Sequence, residues 1–117
     1  MYSKNRIIIF GDGDLAKELI SFGKFNNSEI SLISKLGESN LDYSKIDKSS
    51  RILLAYSNPK IKSKIAEKLE TNNLLASSFV HNSVLIGSNA NLGKGVIIFP
   101  YTIISINSSI GDFSFIN

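Results

Sequence analysis

The chain has 117 residues, 43% hydrophobic and 20% charged, which fits one or two small globular domains. Its formal net charge is +3 and most basic residues are scattered through the first two thirds, too mild and too dispersed for a nucleic-acid interface. The absence of cysteine excludes disulfides, thiolate metal sites and a cysteine nucleophile, which suits a cytoplasmic location. The few apolar residues between Arg6 and Gly11 make no signal peptide, and no apolar run approaches a membrane span.

The β-branched run from Arg6 to Phe10 predicts a buried parallel strand. Gly11-Asp12-Gly13-Asp14-Leu15-Ala16 follows at once, a G-x-G-x-x-A arrangement. Apolar residues at Leu15, Leu19 and Phe22, flanked by Ala16 and Ile20, then predict a helix. Strand, glycine turn and helix form the context that a nucleotide-binding fingerprint needs. In that context Gly11 makes the sharp turn, Gly13 lets backbone N–H groups approach a phosphate, and Ala16 packs closely on the strand. The first N–H groups of the helix favour an anion. Asp12 and Asp14 are poor neighbours for a diphosphate, and Asp14 is expected to cap the helix.

A second strand is expected over Ile30–Ile33. An acidic residue just past this strand holds the ribose hydroxyls in a dinucleotide-binding domain. Here Ser34 and Lys35 follow, which argues against an NAD(P)-binding domain. Lys35 is either a phosphate ligand or a solvated surface lysine. Leu36 to Ser50 is polar and reads as a loop with a short turn. Arg51–Tyr56 predicts a third strand, and Ser57-Asn58-Pro59 opens a helix, with Asn58 or Ser57 as N-cap and Pro59 near its first position. Ile61, Ile65, Ala66 and Leu69 form its buried stripe, and Asn72-Asn73 end it. Leu74 to Phe79 reads as a fourth short strand or a bridge. This order predicts a small, mostly parallel sheet with helices over residues 1–79, in the Rossmann manner.

Residues 80–117 follow another rule. Aliphatic residues recur at Val80, Ile86, Leu92, Ile98, Ile104, Ile110 and Ile116, always six apart. Small or β-branched residues sit two positions earlier, at Val84, Ala90, Val96, Thr102, Ser108 and Ser114. Glycine follows the aliphatic at Gly87, Gly93 and Gly111, where positive φ at a tight corner is expected. Neither a helix nor a simple strand has this period. It predicts a parallel β-helix with three faces per coil, about two coils in length. A pair of ordinary strands would explain any two repeats, but not the whole series in register.

A small Rossmann-like domain followed directly by hexapeptide repeats resembles the bacterial sugar O- or N-acyltransferases of the sialic acid O-acetyltransferase type. That group includes enzymes that acetylate UDP-4-amino sugars. The resemblance covers essentially the whole chain. The GxGGHG-like turn of such proteins corresponds to Gly11, Asp12, Gly13, Asp14, Leu15 and Ala16, with Leu15-Ala16 in place of His-Gly. Tyr56-Ser57-Asn58-Pro59-Lys60-Ile61-Lys62 looks like their IGNN-x-x-R segment, with Lys62 where arginine is common. Their acidic pair after the first helix has no counterpart unless Glu29 serves. His81-Asn82 looks like their His-Pro entry to the repeats, and Ile110-Gly111-Asp112 and Ile116-Asn117 match their IGD and IN steps.

The resemblance implies an α/β plus β fold: a small Rossmann-like parallel sheet followed by the start of a left-handed parallel β-helix. It implies an acyltransferase that uses acetyl-CoA on a hydroxyl or amino group of a nucleotide-linked or surface-polysaccharide sugar. A homotrimer goes with it, the coenzyme lying along the β-helix between subunits and the nucleotide sugar against the first domain. The substrate-binding residues are then Gly11, Asp12, Gly13, Asp14, Ser57, Asn58 and Pro59. A base histidine is implied several residues after the IN step, its pKa suited to proton transfer near neutrality. The sequence ends at Asn117 and its sole histidine, His81, reads as a packing or capping residue. The expectation is a truncated member with no catalytic residue and no metal site in these residues. A non-catalytic sugar-nucleotide-binding module is the alternative.

Overall fold

A computed structural model describes residues 5–117, the side chains of Lys35 and Leu36 excepted. The first strand, β1 (Asn5–Phe10), is the centre of a three-stranded parallel sheet. Ile7 and Ile9 enter one core, and Ile8 and Phe10 pack in another. Burial on both faces is what a central parallel strand requires, and the unbroken aliphatic run supplies it. Helix α1 (Asp14–Gly23) leads to β2 (Ser28–Ile33), which pairs with β1 from Asn5↔Ser28 to Phe10↔Ile33. The chain then crosses over. A short helix, α2 (Lys35–Ser39), and a 3-10 turn at Tyr43–Lys45 bring it to β3 (Arg51–Leu54) on the far side of β1. The order is therefore β2-β1-β3, and strand order reverses at β1. Helix α3 (Pro59–Thr71) follows, with Asn58 as N-cap: its Oδ1 accepts the Lys60 N–H at 2.9 Å.

One expectation for this half changes and one open alternative is decided. The stretch read as a loop is more ordered than its polarity suggests. Ser34 Oγ caps α2 by accepting the Gly37 N–H at 3.0 Å, Asp42 caps the 3-10 turn, and Tyr43 stacks on Phe10 at 6.0 Å between ring centroids. Polar side chains in loops often satisfy backbone donors in this way, which is also how short helices begin. Of the two readings of the stretch before the repeats, strand or bridge, the structure has the bridge, and no fourth strand joins the sheet. Leu74–Ser78 is a bridge, tied to β3 by the Ser77 N–H and the Ile52 carbonyl at 2.6 Å.

From Phe79 the chain winds into a coil of short strands spaced by six residues. These are β4 (Phe79–Val80), β5 (Leu85–Ile86), β6 (Asn91–Leu92), β7 (Ile97–Ile98), β8 (Ile103–Ile104), β9 (Ser109–Ile110) and β10 (Phe115–Ile116). Each pairs in parallel with the strand one coil on: β4 with β7, β7 with β10, β5 with β8 and β6 with β9. Main-chain bonds from the Phe79 N–H to the Val96 carbonyl (2.8 Å) through to the Phe99 N–H and the Ile116 carbonyl (2.9 Å) stitch the coils together. Val96, Ile98 and Ile104 are buried inside, packed by Val80, Val84, Ala90, Leu92, Ile110 and Ile116. Ile86 departs from the expected column and is 47% exposed.

The corner glycines also act differently from expectation. The positive-φ positions are Asn89, Gly95, Tyr101, Asn107 and Phe113, again every six residues. Gly87, Gly93 and Gly111 are not among them. A Cβ at Gly87 would lie 2.6 Å from the Ile106 nitrogen, and one at Gly93 would lie 2.5 Å from the Asp112 nitrogen. Those two glycines let one coil approach the next, while the left-handed turn falls two residues later in each repeat.

The coil lies against the sheet. Phe79, Ile97 and Phe99 share a core with Ile7, Ile9, Ala16, Leu19, Leu53 and Ala55. Edge-to-face ring pairs join them, Phe22 to Phe99 at 5.1 Å and Phe25 to Phe79 at 5.9 Å.

Candidate functional site

Two loops meet at the carboxyl ends of β1 and β3, where an open parallel sheet leaves a crevice at the reversal of strand order. The Gly11 N–H donates to the Ile33 carbonyl and the Ala55 N–H to the Phe10 carbonyl, both at 2.8 Å, so the first loop lies flat on the strand ends. Gly11 has φ of 124°, and a Cβ there would lie 2.5 Å from the Ala55 carbonyl oxygen. Glycine is needed for both conformation and space. Gly13 differs. Its φ of −88° suits any residue, and nothing lies within 4 Å of where its Cβ would be.

Gly13 is the N-cap of α1, so the expectation that Asp14 caps the helix is corrected. Asp14 is the first helical residue, where a carboxylate favours the helix dipole without filling the capping position. With no side-chain cap, the first amides of α1 are open to a ligand anion. Across the crevice, Asn58 is engaged as the α3 cap. Asp12, Gly13, Asp14, Ser57 and Pro59 are exposed at the rim.

Beside this rim lies a cleft of about 300 Å³ lined by Glu38, Tyr56, Ile61, Lys64, Ile65 and Lys68. Glu38 Oε1 accepts from the Tyr43 hydroxyl at 2.8 Å and from Lys68 Nζ at 3.0 Å. Burial alone would raise the Glu38 carboxyl, but these two hydrogen bonds and the lysine charge hold it below its ordinary value. Burial, then the hydrogen bond to Glu38, push the Tyr43 phenol well up. Tyr56 is raised by burial and by the charges of Asp12 and Glu38, so these three residues share one electrostatic neighbourhood. Glu38, Lys64 and Lys68 were not foreseen. The four-residue spacing of Lys64 and Lys68 on one helix face was visible, but Glu38 reaches them only through the crossover. Glu29 does not serve as the missing acid: it sits on β2 opposite Arg6 and lines a different crevice. Ser34, at the position of a ribose-binding acid, spends its hydroxyl on capping α2. The Lys35 side chain lies outside the described residues.

His81 is held by its own turn. Its Nδ1 accepts the Ser83 N–H at 3.1 Å and lies 2.7 Å from Ser83 Oγ, which in turn accepts the Tyr101 N–H at 2.8 Å. A ring nitrogen that accepts an N–H carries no proton, so the neutral ring has its hydrogen on Nε2. Nδ1 is thereby engaged within its own turn. Among the described residues, no group of His, Asp and Glu is placed to hold a metal ion, and no helix is long and apolar enough to cross a membrane.

No family model and no curated protein matches the chain. Solved structures do match. PerB from Caulobacter crescentus, in complex with CoA and GDP-perosamine, is 20% identical with a TM-score of 0.76; the match covers 97% of this chain and 60% of that one. The acetyltransferase domain of PglB from Neisseria gonorrhoeae is 16% identical with a TM-score of 0.76, covering 97% of this chain and 62% of that one. The same domain in complex with acetyl coenzyme A is 15% identical, again at 0.76, over 98% and 62%. This chain thus spans about three fifths of the length of these structures. The likeness shows the fold: a Rossmann-like parallel sheet followed by the start of a left-handed parallel β-helix.

Proposed function

We propose that this chain carries the nucleotide-sugar-binding part of an acyltransferase, residues 1–79, and the first coils of its acyl-donor groove, residues 80–117. The donor is acetyl-CoA, and the acceptor is a hydroxyl or amino group of a nucleotide-linked or surface-polysaccharide sugar. The observation that carries this reading is the uncapped start of α1. Gly11 presses the loop onto Ala55, and Gly13 leaves the first amides uncovered at the point where strand order reverses. Such amides hold a phosphate without a basic side chain. Support comes from the fold shared with PerB, solved with CoA and GDP-perosamine, and with the PglB domain, solved with acetyl coenzyme A. In this reading Gly11–Asp14 and Ser57–Pro59 border the diphosphate, and the cleft beside Tyr56 receives the nucleoside.

No residue here is assigned as the catalytic base: the Nδ1 of His81 is engaged by the Ser83 N–H of its own turn. Acyl transfer needs a positioned base and a formed coenzyme groove. A cytoplasmic homotrimer belongs to the same reading. Association of copies is supported by exposed apolar residues of the coil, Leu85, Tyr101, Ile103 and Ile106.

Calorimetry with GDP, UDP and their sugar conjugates tests the proposal. Binding is expected for at least one of them, and its loss in Gly13→Val. Valine can adopt the backbone angles of Gly13 and meets no neighbour, so this variant should fold while blocking the amides. Failure of every nucleotide to bind the parent chain would overturn the reading. Acetyl-CoA turnover by this chain that vanishes in His81→Ala would overturn the assignment of His81.

A further inference from the structure

Lys62 stands apart from the other lysines. It is 3% exposed and is the only charged residue buried among the described residues. Its Nζ donates to the main-chain carbonyl of Phe113, and no described carboxylate pairs with it. An unpaired buried ammonium is costly, and an apolar side chain of similar length would fill the same space without that cost.

Both ends of the link bear on the site. Lys62 lies near the start of α3, and its own N–H donates to the Asn58 carbonyl at 3.3 Å. It is therefore tied to the loop from Tyr56 to Asn58. Phe113 is a left-handed corner of the coil, with φ of 62°, and its N–H donates to the Lys94 carbonyl at 2.8 Å. Its ring packs against the same core as Tyr56 and Ile61. Arg51 makes a second link of the same kind: Nη2 donates to the Ser78 carbonyl at 2.8 Å, with the guanidinium 5.8 Å from the Phe25 and Phe79 ring centres. Arg51, however, is at the amino end of β3. The Arg51 link ties the amino end of β3 to the bridge, the Lys62 link ties the start of α3 to the coil beside the Tyr56–Asn58 loop, and the Lys94–Glu70 ion pair at 2.9 Å joins the far end of α3 to the coil.

We propose that Lys62 is a positioning residue for the candidate site. Its bond to Phe113 sets the Tyr56–Asn58 loop relative to the coil, so that a nucleotide at the strand ends and an acyl donor on the coil keep a fixed relation. This rests on the function proposed above. Misplacement by about 1 Å is enough to slow a transfer by roughly a hundredfold.

The test compares Lys62→Met, Lys62→Arg and Arg51→Met in the whole chain, with GDP and UDP as probes in calorimetry. Arg51→Met should unfold at lower urea concentration than the parent, and Lys62→Met at about the parent's, since methionine fills the space without a buried charge. Lys62→Met alone should weaken nucleotide binding, by about tenfold, within the range for a residue that acts on a site without touching its ligand. Lys62→Arg should restore most of it. Equal losses in the two methionine variants, or none in either, would overturn the proposal. Should Lys62→Met fail to fold, NMR of the parent decides: a slowly exchanging ammonium signal from Lys62, coupled to the Phe113 carbonyl, is expected, and its absence refutes the link. A parent that binds GDP or UDP without that signal refutes the positioning role alone. A parent that shows the signal but binds neither nucleotide refutes the proposed function, and with it the role of Lys62 toward a ligand.

Discussion

Two outer faces of the coil share one repeat and meet opposite fates. On the face of β4, β7 and β10, Phe79 is 6% exposed and Ile97 2%. On the face of β5 and β8, Leu85 is 63% exposed and Ile103 71%. The registers are equivalent, Phe79↔Ile97 in one and Leu85↔Ile103 in the other. What differs is the neighbour. Helix α1 and the sheet cover the first face, and no described residue covers the second. The interior is indifferent to this, since Ile98 and Ile104 are buried on either side of it. Within the six-residue series Ile98 and Ile104 are buried while Ile86 in the first coil is not, and the burial of outward side chains depends on what packs against them.

The comparison breaks most severely from inside. Ile98→Asp places a carboxylate in the column, with an expected loss of about 4 kcal/mol or more. Urea unfolding followed by circular dichroism should show the coil lost, and a variant as stable as the parent would refute the column. Next comes the covered face. Ile97→Ala should cost about 2–4 kcal/mol by leaving a cavity between coil and sheet. The same change at Ile103 should cost less than about 0.5 kcal/mol in the monomer. Similar losses at both sites in urea titrations would contradict the covered and bare assignment.

A smaller effect, of opposite sign, is expected at the corners. Tyr101 holds φ of 63° while 87% exposed, so it gains little packing for a conformation that asparagine adopts more readily. Tyr101→Asn should raise stability by about 1 kcal/mol, seen as a higher melting temperature. Least affected should be the monomer carrying Leu85→Ser with Ile103→Ser, within about 0.5 kcal/mol of the parent. Analytical ultracentrifugation should nevertheless show weaker self-association, if the bare face joins copies as proposed. Unchanged association would move the subunit interface elsewhere.

The candidate site was legible unevenly. Gly11 could be read as an obligatory turn glycine because a strand ends directly before it, and Asn58-Pro59 as a helix start because capping is local chemistry. Gly13 kept its place in the loop, where its φ of −88° suits any residue and the space around it is open, so its part is access to the first amides rather than backbone freedom. Asp14 was misread as a cap because sequence spacing does not tell the N-cap from the first helical residue. Lys62 could be matched to a motif, yet its burial could not be foreseen, because its partner is a carbonyl from the far end of the chain.

By itself the sequence determined the features whose causes lie within a few residues: the buried central strand, the glycine turn, the cap of α3 and the six-residue column. Each follows from backbone preference or from a repeating inward side chain. Only the tertiary structure decided which glycines are corners and which are close approaches, because the nearest atoms to Gly87 and Gly93 belong to the following coil. It alone decided that Glu38 joins Tyr56 and Lys68, and that one face of the coil is covered while another is bare. Those outcomes depend on where the crossover and the docked coil bring distant segments, and contacts between distant segments leave no period in the chain.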